Sequence, residues 1–156
     1  MKDDEFERLY SAEAQGLFAF LAYRTGDRAL AEDLLADAFE RALRGRFNPR
    51  KGSAKTWLYA IALNVLRDHV RRAAAEGRAY ARVPSGEAGD PFAGVEARDS
   101  LGRALAALTA EEREAVALRF GAELTVPEMA SVLDLPLTTV EGRVYRALRK
   151  LREALA

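Results

Sequence analysis

The sequence predicts an all-α protein: two small helical domains joined by a flexible linker, the C-terminal one a four-helix helix-turn-helix domain. Apolar residues recur at helical spacing along most of the 156 residues, and no segment keeps the alternation of a strand. The segment 75–99 breaks this pattern, since it is rich in glycine and proline and has only scattered apolar residues. We therefore expect domains at 1–74 and 100–156, with the linker at 75–99.

The N-terminal domain is predicted to contain three amphipathic helices, over about 5–23, 29–44 and 54–74. Gly26-Asp27 separates the first two helices. An irregular connection over 45–53, with two glycines and a proline, separates the second from the third. Each helix carries an apolar stripe that can pack against the other two.

The C-terminal domain is predicted to begin with a helix over about 100–107. Three threonines are then each followed, three residues later, by a glutamate, which is the spacing of a helix-starting capping box. These pairs are Thr109/Glu112, Thr125/Glu128 and Thr138/Glu141. Leu135-Pro136 provides a turn between a short helix and a long basic one, an order typical of a helix-turn-helix.

The formal net charge is zero, but the charges are segregated along the chain. Acids gather at the N-terminus, in 27–40 and in 87–99. Between 41 and 72, nine basic residues face a single acid, and these are Arg41, Arg44, Arg46, Arg50, Lys51, Lys55, Arg67, Arg71 and Arg72. Five more, without any acid, lie between 143 and 152. Such segregation indicates one surface for a polyanion and another for a different partner.

The long C-terminal helix is predicted to bind duplex DNA. The major groove admits one helix, whose N-terminal half meets the base edges. With Val140 and Val144 packed inward, the candidate DNA contacts are Thr138, Thr139, Arg143, Arg146, Arg149 and Lys150. A solvated basic face is the alternative, but the turn and the order of helices favour DNA binding. Glu141 would repel phosphate, and its place in a capping box gives it a structural explanation.

Several functional classes are disfavoured by composition. The chain has no cysteine, a single histidine and no phosphate-binding glycine motif, so we predict no enzymatic activity, no metal site and no cofactor. No apolar run is long enough to span a membrane, and the acidic start lacks the apolar segment of a signal peptide. A cytoplasmic protein without membrane insertion is therefore expected.

Four motifs in order resemble those of the extracytoplasmic-function sigma factors, the minimal members of the sigma-70 family. The motifs are the run from Ala31 to Leu43, the run from Thr56 to Asn64 followed by 68–72, the run from Leu108 to Glu114, and the run from Leu135 to Val144. Each motif is degenerate alone, but their order and spacing are specific. The resemblance covers nearly the whole chain.

The resemblance implies a factor that binds core RNA polymerase and directs it to specific promoters. It implies that the 30–43 helix docks on the clamp helices of the largest subunit and that the C-terminal domain reads the minus-thirty-five element near the flap region of the second-largest subunit. The implied polymerase contacts are Glu32, Asp33, Leu34, Asp37, Phe39, Glu40 and Leu43. The acidic linker, with Glu87, Asp90, Glu96 and Asp99, would lie toward the RNA exit channel. An anti-sigma factor is a further implied partner.

The N-terminal domain is implied to melt and read the minus-ten element. Capturing an unstacked base requires a loop that can form a pocket, polar groups for the base edge and positive charge for the backbone. The connection after the second helix and the following helix supply these groups, so the predicted contacts are Phe47, Asn48, Arg50, Lys51, Ser53, Lys55, Thr56, Asn64, Arg67 and Arg71. Asn64 rests on its match to the family position. For Trp57, core packing is favoured over base stacking.

The sequence departs from the family pattern at three positions. Glu141 and Leu63 stand where basic residues are usual, and Thr138 stands where a glycine is common. These changes lower the positive charge of both DNA-reading surfaces. Two other interpretations therefore stay open: a stand-alone helix-turn-helix repressor or activator that dimerises through its N-terminal helices, and a degenerate sigma-like protein-interaction module.

Overall fold

The computed structural model describes residues 1–77 and 96–156, with side chains in the second range described from residue 100 onward. Every regular element in these ranges is helical, which confirms the all-α prediction. The α-helices are α1 (Asp3–Thr25), α2 (Arg28–Arg44), α3 (Ala54–Ala75), α4 (Glu96–Ala106), α5 (Ala110–Val116), α6 (Val126–Leu133) and α7 (Leu137–Leu155). A short 3₁₀ turn, Pro49–Lys51, lies between α2 and α3.

The predicted linker lies mostly outside the described residues, and so do the predicted acidic positions Glu87 and Asp90. Its two ends differ from the prediction. Ala75 still belongs to α3, and the residues from Glu96 onward already belong to α4. Glu96 and Asp99 are therefore positions on a helix and not part of an irregular segment.

The N-terminal domain is a bundle in which α2 packs against both α1 and α3. Gly26 ends α1 in the left-handed conformation, with φ at 70°, a backbone geometry that glycine adopts without strain. One residue later, the side chain of Asp27 accepts a hydrogen bond from Leu30 N at 3.1 Å and so begins α2. Leu17, Leu21 and Leu58 are fully buried between the helices.

The C-terminal domain is organised around α7, which packs against α4, α5 and α6. Both the Thr109/Glu112 and the Thr125/Glu128 capping boxes form, as predicted. The predicted 110–120 helix differs at its end, because α5 gives way at Ala117–Gly121 to a π-helical turn, closed by a 2.9 Å hydrogen bond from Ala122 N to Ala117 O.

The two domains pack directly against each other, so that one apolar core runs through both. α6 lies on α3, and the π-helical turn lies on α1. At this contact Arg24 Nε donates to Glu114 Oε2 at 3.2 Å, with the two side chains only 21% and 13% exposed. An apolar cavity of about 460 Å³ is lined by residues of both domains, among them Phe20 and Phe120.

Candidate nucleic-acid interface

The helix-turn-helix consists of α6, a three-residue turn and α7. Asp134 ends α6 in the left-handed conformation, with φ at 55°, and its N–H donates to Ala130 O. Pro136 then starts α7, since its carbonyl accepts from Thr139 N at 3.1 Å and from Val140 N at 3.2 Å. Val140 is fully buried, which anchors the first turns of α7 to the domain core.

The third predicted capping box, Thr138/Glu141, is wrong. α7 begins at Leu137, one residue before Thr138, and its N-cap is Pro136, without any side-chain cap. The fixed φ of proline, here −59°, suits a helix start, so Thr138 lies inside the first turn and cannot cap it. Glu141 consequently has no capping role and lies exposed on the helix.

The predicted duplex contacts are not equally available on α7. Thr138, Arg146 and Arg149 are exposed, whereas Thr139 and Arg143 are half-buried. Lys150 Nζ donates to Glu112 Oε1 at 2.8 Å, so its ammonium is already paired within the domain. Its prediction as a free phosphate contact does not fit this geometry.

Tyr145 is a candidate DNA contact that the sequence reasoning missed. Its side chain is 65% exposed. On a helix with about 100° per residue, Tyr145 lies near Thr138 and Gly142, on the side away from buried Val140. An aromatic residue on the polar face of an amphipathic helix is the sequence signal that could have identified this contact.

The predicted minus-ten loop folds around a small pocket of about 310 Å³. Its lining residues are Arg46, Phe47, Asn48, Lys51, Gly52, Ser53, Thr56, Trp57, Ala60 and Ser131. All but Ser131 come from the loop and the start of α3. The structure therefore brings Phe47, Asn48, Lys51, Ser53 and Thr56 together, as a base-sized pocket would require.

Local hydrogen bonds hold this loop in shape. Asn48 Oδ1 accepts from Arg50 N at 3.0 Å, which begins the 3₁₀ turn. Ser53 Oγ accepts from Thr56 N at 3.1 Å, which caps α3. The Thr56 side chain is buried, and its hydroxyl donates to Ser53 O at 3.0 Å. This hydroxyl therefore stabilises the loop and is less available to a base than the other polar groups of the pocket.

Trp57 forms a wall of the pocket. Its ring lies 5.5 Å from the Phe47 ring, centroid to centroid, and it is half-buried. A methyl group at Gly45 would lie 2.9 Å from the indole and 3.1 Å from Arg41 O, so only glycine fits at that position. Trp57 therefore has two roles. Its indole packs against Gly45, as the favoured interpretation predicts, and it also lines the pocket.

The remaining minus-ten candidates lie along the rim and on α3. Arg50, Asn64, Arg67 and Arg71 are exposed, and Lys55 is half-buried. Arg71 forms an ion pair with Asp68, which also receives Arg41 Nη1 at 3.4 Å. Desolvation opposes ionisation of Asp68, but these hydrogen bonds prevail and hold its pKa below the ordinary value.

The predicted polymerase surface on α2 divides into buried and exposed residues. Leu34 and Phe39 are each only 4% exposed, so they pack inside the bundle and do not fit the prediction of direct polymerase contacts. Glu32, Asp33, Glu40 and Leu43 are exposed. Asp37 is half-buried and accepts from Arg41 Nε at 3.2 Å. The exposed members form an acidic edge on α2.

No cluster of metal-ligating side chains occurs in the part of the chain that the structure describes. Within the same residues, no helix is long and apolar enough to cross a membrane.

Family models match both domains. The model described as sigma-70 region 2 matches residues 9–76, and the model described as sigma-70, region 4 matches residues 98–151. Together these spans cover the pocket of the minus-ten loop and the helix-turn-helix as far as residue 151. They assign the chain to the sigma-70 class of transcription initiation factors.

Curated relatives narrow this assignment. The chain is 36% identical over 146 residues to the ECF RNA polymerase sigma factor SigC of Mycobacterium tuberculosis, covering 90% of this chain and 78% of SigC. It is 29% identical over 164 residues to the ECF RNA polymerase sigma factor BldN of Streptomyces coelicolor, covering 97% of this chain but 61% of BldN. The chain belongs to the extracytoplasmic-function sigma factors, a family that directs RNA polymerase to promoters.

A solved structure supports the fold. The sigma factor RpoE of Bartonella quintana, in complex with the anti-sigma factor NepR, superposes with a TM-score of 0.73 at 23% identity, and the match covers 97% of each chain. The same two-domain helical fold therefore occurs in that solved structure. A stand-alone repressor or activator is not favoured, because both sigma regions match in order.

Proposed function

We propose that this protein binds core RNA polymerase and recognises promoters through two separate surfaces, without enzymatic activity of its own. The observation that carries the proposal is that one chain presents two different nucleic-acid geometries. The pocket beside Trp57 has the size and the polar, cationic rim for an unstacked base. The exposed side of α7 has the form of a major-groove helix.

The minus-ten element is assigned to the pocket and the adjoining face of α3. Phe47 and Trp57 supply aromatic surface, Asn48 and Ser53 supply polar atoms, and Lys51 supplies positive charge at the rim. Asn64 and Arg67, exposed on the next turns of α3, extend this surface along a single strand. The minus-thirty-five element is assigned to α7, with Thr138 and Arg143 toward the bases and Arg149 toward phosphate.

The polymerase contact is assigned to the acidic edge of α2, formed by Glu32, Asp33, Glu40 and Leu43. This edge is exposed and lies on the helix between the other two helices of the bundle. Its negative charge complements a basic docking site, in the manner that fixes register between protein partners. Because the polymerase works there, the proposed place of action is the cytoplasm.

The packed arrangement of the two domains does not fit promoter binding. The elements centred near minus ten and minus thirty-five lie roughly 25 base pairs apart, or about 85 Å of B-form DNA at ~3.4 Å per base pair. Here α6 touches α3, and Ser131 of α6 lines the minus-ten pocket. The domains must therefore separate on the polymerase. The packed form is the state that an anti-sigma factor would stabilise, as the complex of RpoE with NepR suggests.

The test is transcription in vitro, with purified core polymerase, this protein and a library of genomic promoter fragments. We expect initiated transcripts only when both proteins are present, from fragments that share two conserved elements. Failure to bind core polymerase and to initiate any transcript would overturn the proposal. Tight binding of the protein alone to a palindromic site would support the repressor instead.

A further inference from the structure

Glu112 is a buried carboxylate at the base of the DNA-reading helix. It is 4% exposed, and it is the only charged residue that is buried within the described part of the chain. A buried carboxylate is strongly destabilising unless it is paired and hydrogen-bonded. The hydrogen-bond and ion-pair partners of Glu112 therefore indicate its structural role.

The partners of Glu112 come from two different helices. Oε1 accepts from Thr109 N at 2.9 Å, which completes the cap of α5. The same oxygen accepts from Lys150 Nζ at 2.8 Å, 38 residues further along the chain. Oε2 lies 4.0 Å from Arg146 Nε. A cap alone needs only the first of these contacts, since Glu128 makes the equivalent bond to Thr125 N while half-buried.

The ion pair divides the four basic residues in the C-terminal half of α7 into two sets. Arg146 and Lys150, four residues apart, lie on the side that faces Glu112. Arg149 and Arg152 are exposed on the other side. Lys150 is 37% exposed at its side chain and already carries its counter-charge, whereas Arg149 is free to meet a phosphate.

We propose that Glu112 is a positioning residue for duplex recognition: it fixes the rotation of α7 about its own axis and withholds Lys150 from the phosphate backbone. This inference rests on the proposed function of α7. Rotation decides whether Arg143 and Thr138, about two and three turns from Lys150, point toward base edges. A withheld lysine reduces the sequence-independent part of the affinity, so that more of the binding depends on the bases.

The experiment measures discrimination by the holoenzyme. The full chain with core polymerase is bound to a promoter fragment found by the transcription test, and to the same fragment with its upstream element scrambled, over a series of salt concentrations. Discrimination is the ratio of the two Kd values. The salt slope of log K reports the number of phosphate contacts.

Glu112→Gln keeps an oxygen that can accept from Thr109 N but removes the charge that holds Lys150. We expect discrimination to fall about tenfold. The fall should come from tighter binding to the scrambled fragment, with a salt slope steeper by up to about 0.9. A merely destabilised domain would bind both fragments more weakly, with no steeper slope. Glu111→Gln, which removes the exposed neighbouring carboxylate of α5, is the matched control and should leave the ratio unchanged.

A second pair of variants tests the withheld lysine. Arg149→Gln should lower the salt slope by about 0.9, as for one lost phosphate contact. Lys150→Gln can still donate to Glu112 and should lower the slope by less than half as much. Equal losses from the two variants, or unchanged discrimination in Glu112→Gln, would overturn the inference. If the wild-type holoenzyme itself does not distinguish the fragments, the proposed function of α7 fails first, before any variant is made.

Discussion

The minus-ten loop and the recognition helix are two DNA-facing surfaces that obtain their shape in different ways. The loop depends on local contacts, since Asn48, Ser53 and Gly45 fix a pocket within about a dozen residues. The helix α7 depends on distant contacts, because Val140 is buried in the domain core and Lys150 is paired with Glu112. Damage to the loop should therefore stay local, whereas damage behind α7 should alter recognition without touching DNA.

The largest expected effect is that of Trp57→Ala. The change removes a pocket wall and the ring partner of Phe47. Because Trp57 is half-buried, its loss should cost less unfolding free energy than the about 3–5 kcal/mol of a fully buried aromatic residue. We expect transcription to be lost while duplex binding through α7 persists. Urea unfolding and a gel-shift with an upstream-element duplex measure the two quantities. Trp57→Phe is the control, and equal loss of duplex binding would contradict the separation of the surfaces.

Arg143→Ala should weaken binding to the upstream element by about 1–3 kcal/mol if the guanidinium reads a base. The same substitution should leave the affinity for a melted minus-ten strand unchanged. Titration of the holoenzyme with each DNA measures both affinities. An unchanged upstream affinity would remove Arg143 from the recognition surface.

Gly45→Ala should destabilise the protein by about 1–2 kcal/mol, because the added methyl group meets both the indole of Trp57 and the carbonyl of Arg41. Either the loop or the indole must shift, so promoter melting should fall with stability. Permanganate reactivity of the minus-ten strand measures melting. Gly121→Ala, where a methyl group meets no atom within 4 Å, is the matched control, and an equally large loss there would contradict this explanation.

Replacing Thr109 and Thr138, from two of the three Thr-x-x-Glu pairs, by alanine should have different effects on stability. Thr109→Ala should lower the unfolding free energy by about 1 kcal/mol, because it removes the side-chain cap of α5. Thr138→Ala should change stability little, since Thr138 caps nothing. Thermal melting of the two variants gives the comparison. A loss for Thr138→Ala equal to that for Thr109→Ala would restore the capping box at α7.

The smallest effect concerns acid pH. Desolvation opposes ionisation of Glu112, but hydrogen bonds from Lys150 and Thr109 prevail and hold its pKa below the ordinary value of a glutamate carboxyl. The stabilisation is fully present above the unfolded-state pKa and is lost as pH falls through the lower folded-state value. Wild type and Glu112→Gln should therefore converge in unfolding free energy as the pH falls below the ordinary carboxyl pKa and through the lower folded-state pKa. A constant difference down to acid unfolding would show that ionisation contributes nothing.

Periodicity and local chemistry predicted most of the helices, because those signals act within a few residues. Thr109 and Thr125 begin helices where expected. The error at α7 arose from the same local pattern, since a Thr-x-x-Glu spacing does not reveal that the preceding proline already starts the helix. The pairing of Glu112 with Lys150 joins residues 38 apart and leaves no periodic trace in the sequence.

Five of the ten residues that line the pocket were among the predicted minus-ten contacts. Loop composition identified Phe47, Asn48 and Ser53, while the contribution of Ser131 from the other domain had no sequence signal. Leu34 and Phe39 were predicted as polymerase contacts, but both are buried. An apolar stripe that packs inside a domain and one that docks on a partner have the same helical spacing, so the sequence could not distinguish them.

The packing of α6 on α3 also sets how tightly the free chain can bind its partners. If only a fraction of molecules is open at a given moment, the apparent Kd for polymerase equals the intrinsic Kd divided by that fraction. The contact between the domains, made by the Arg24–Glu114 ion pair and the shared apolar core, therefore competes with polymerase binding inside every molecule. Weakening this contact would raise promoter use at low polymerase concentration without changing a single DNA-contacting residue.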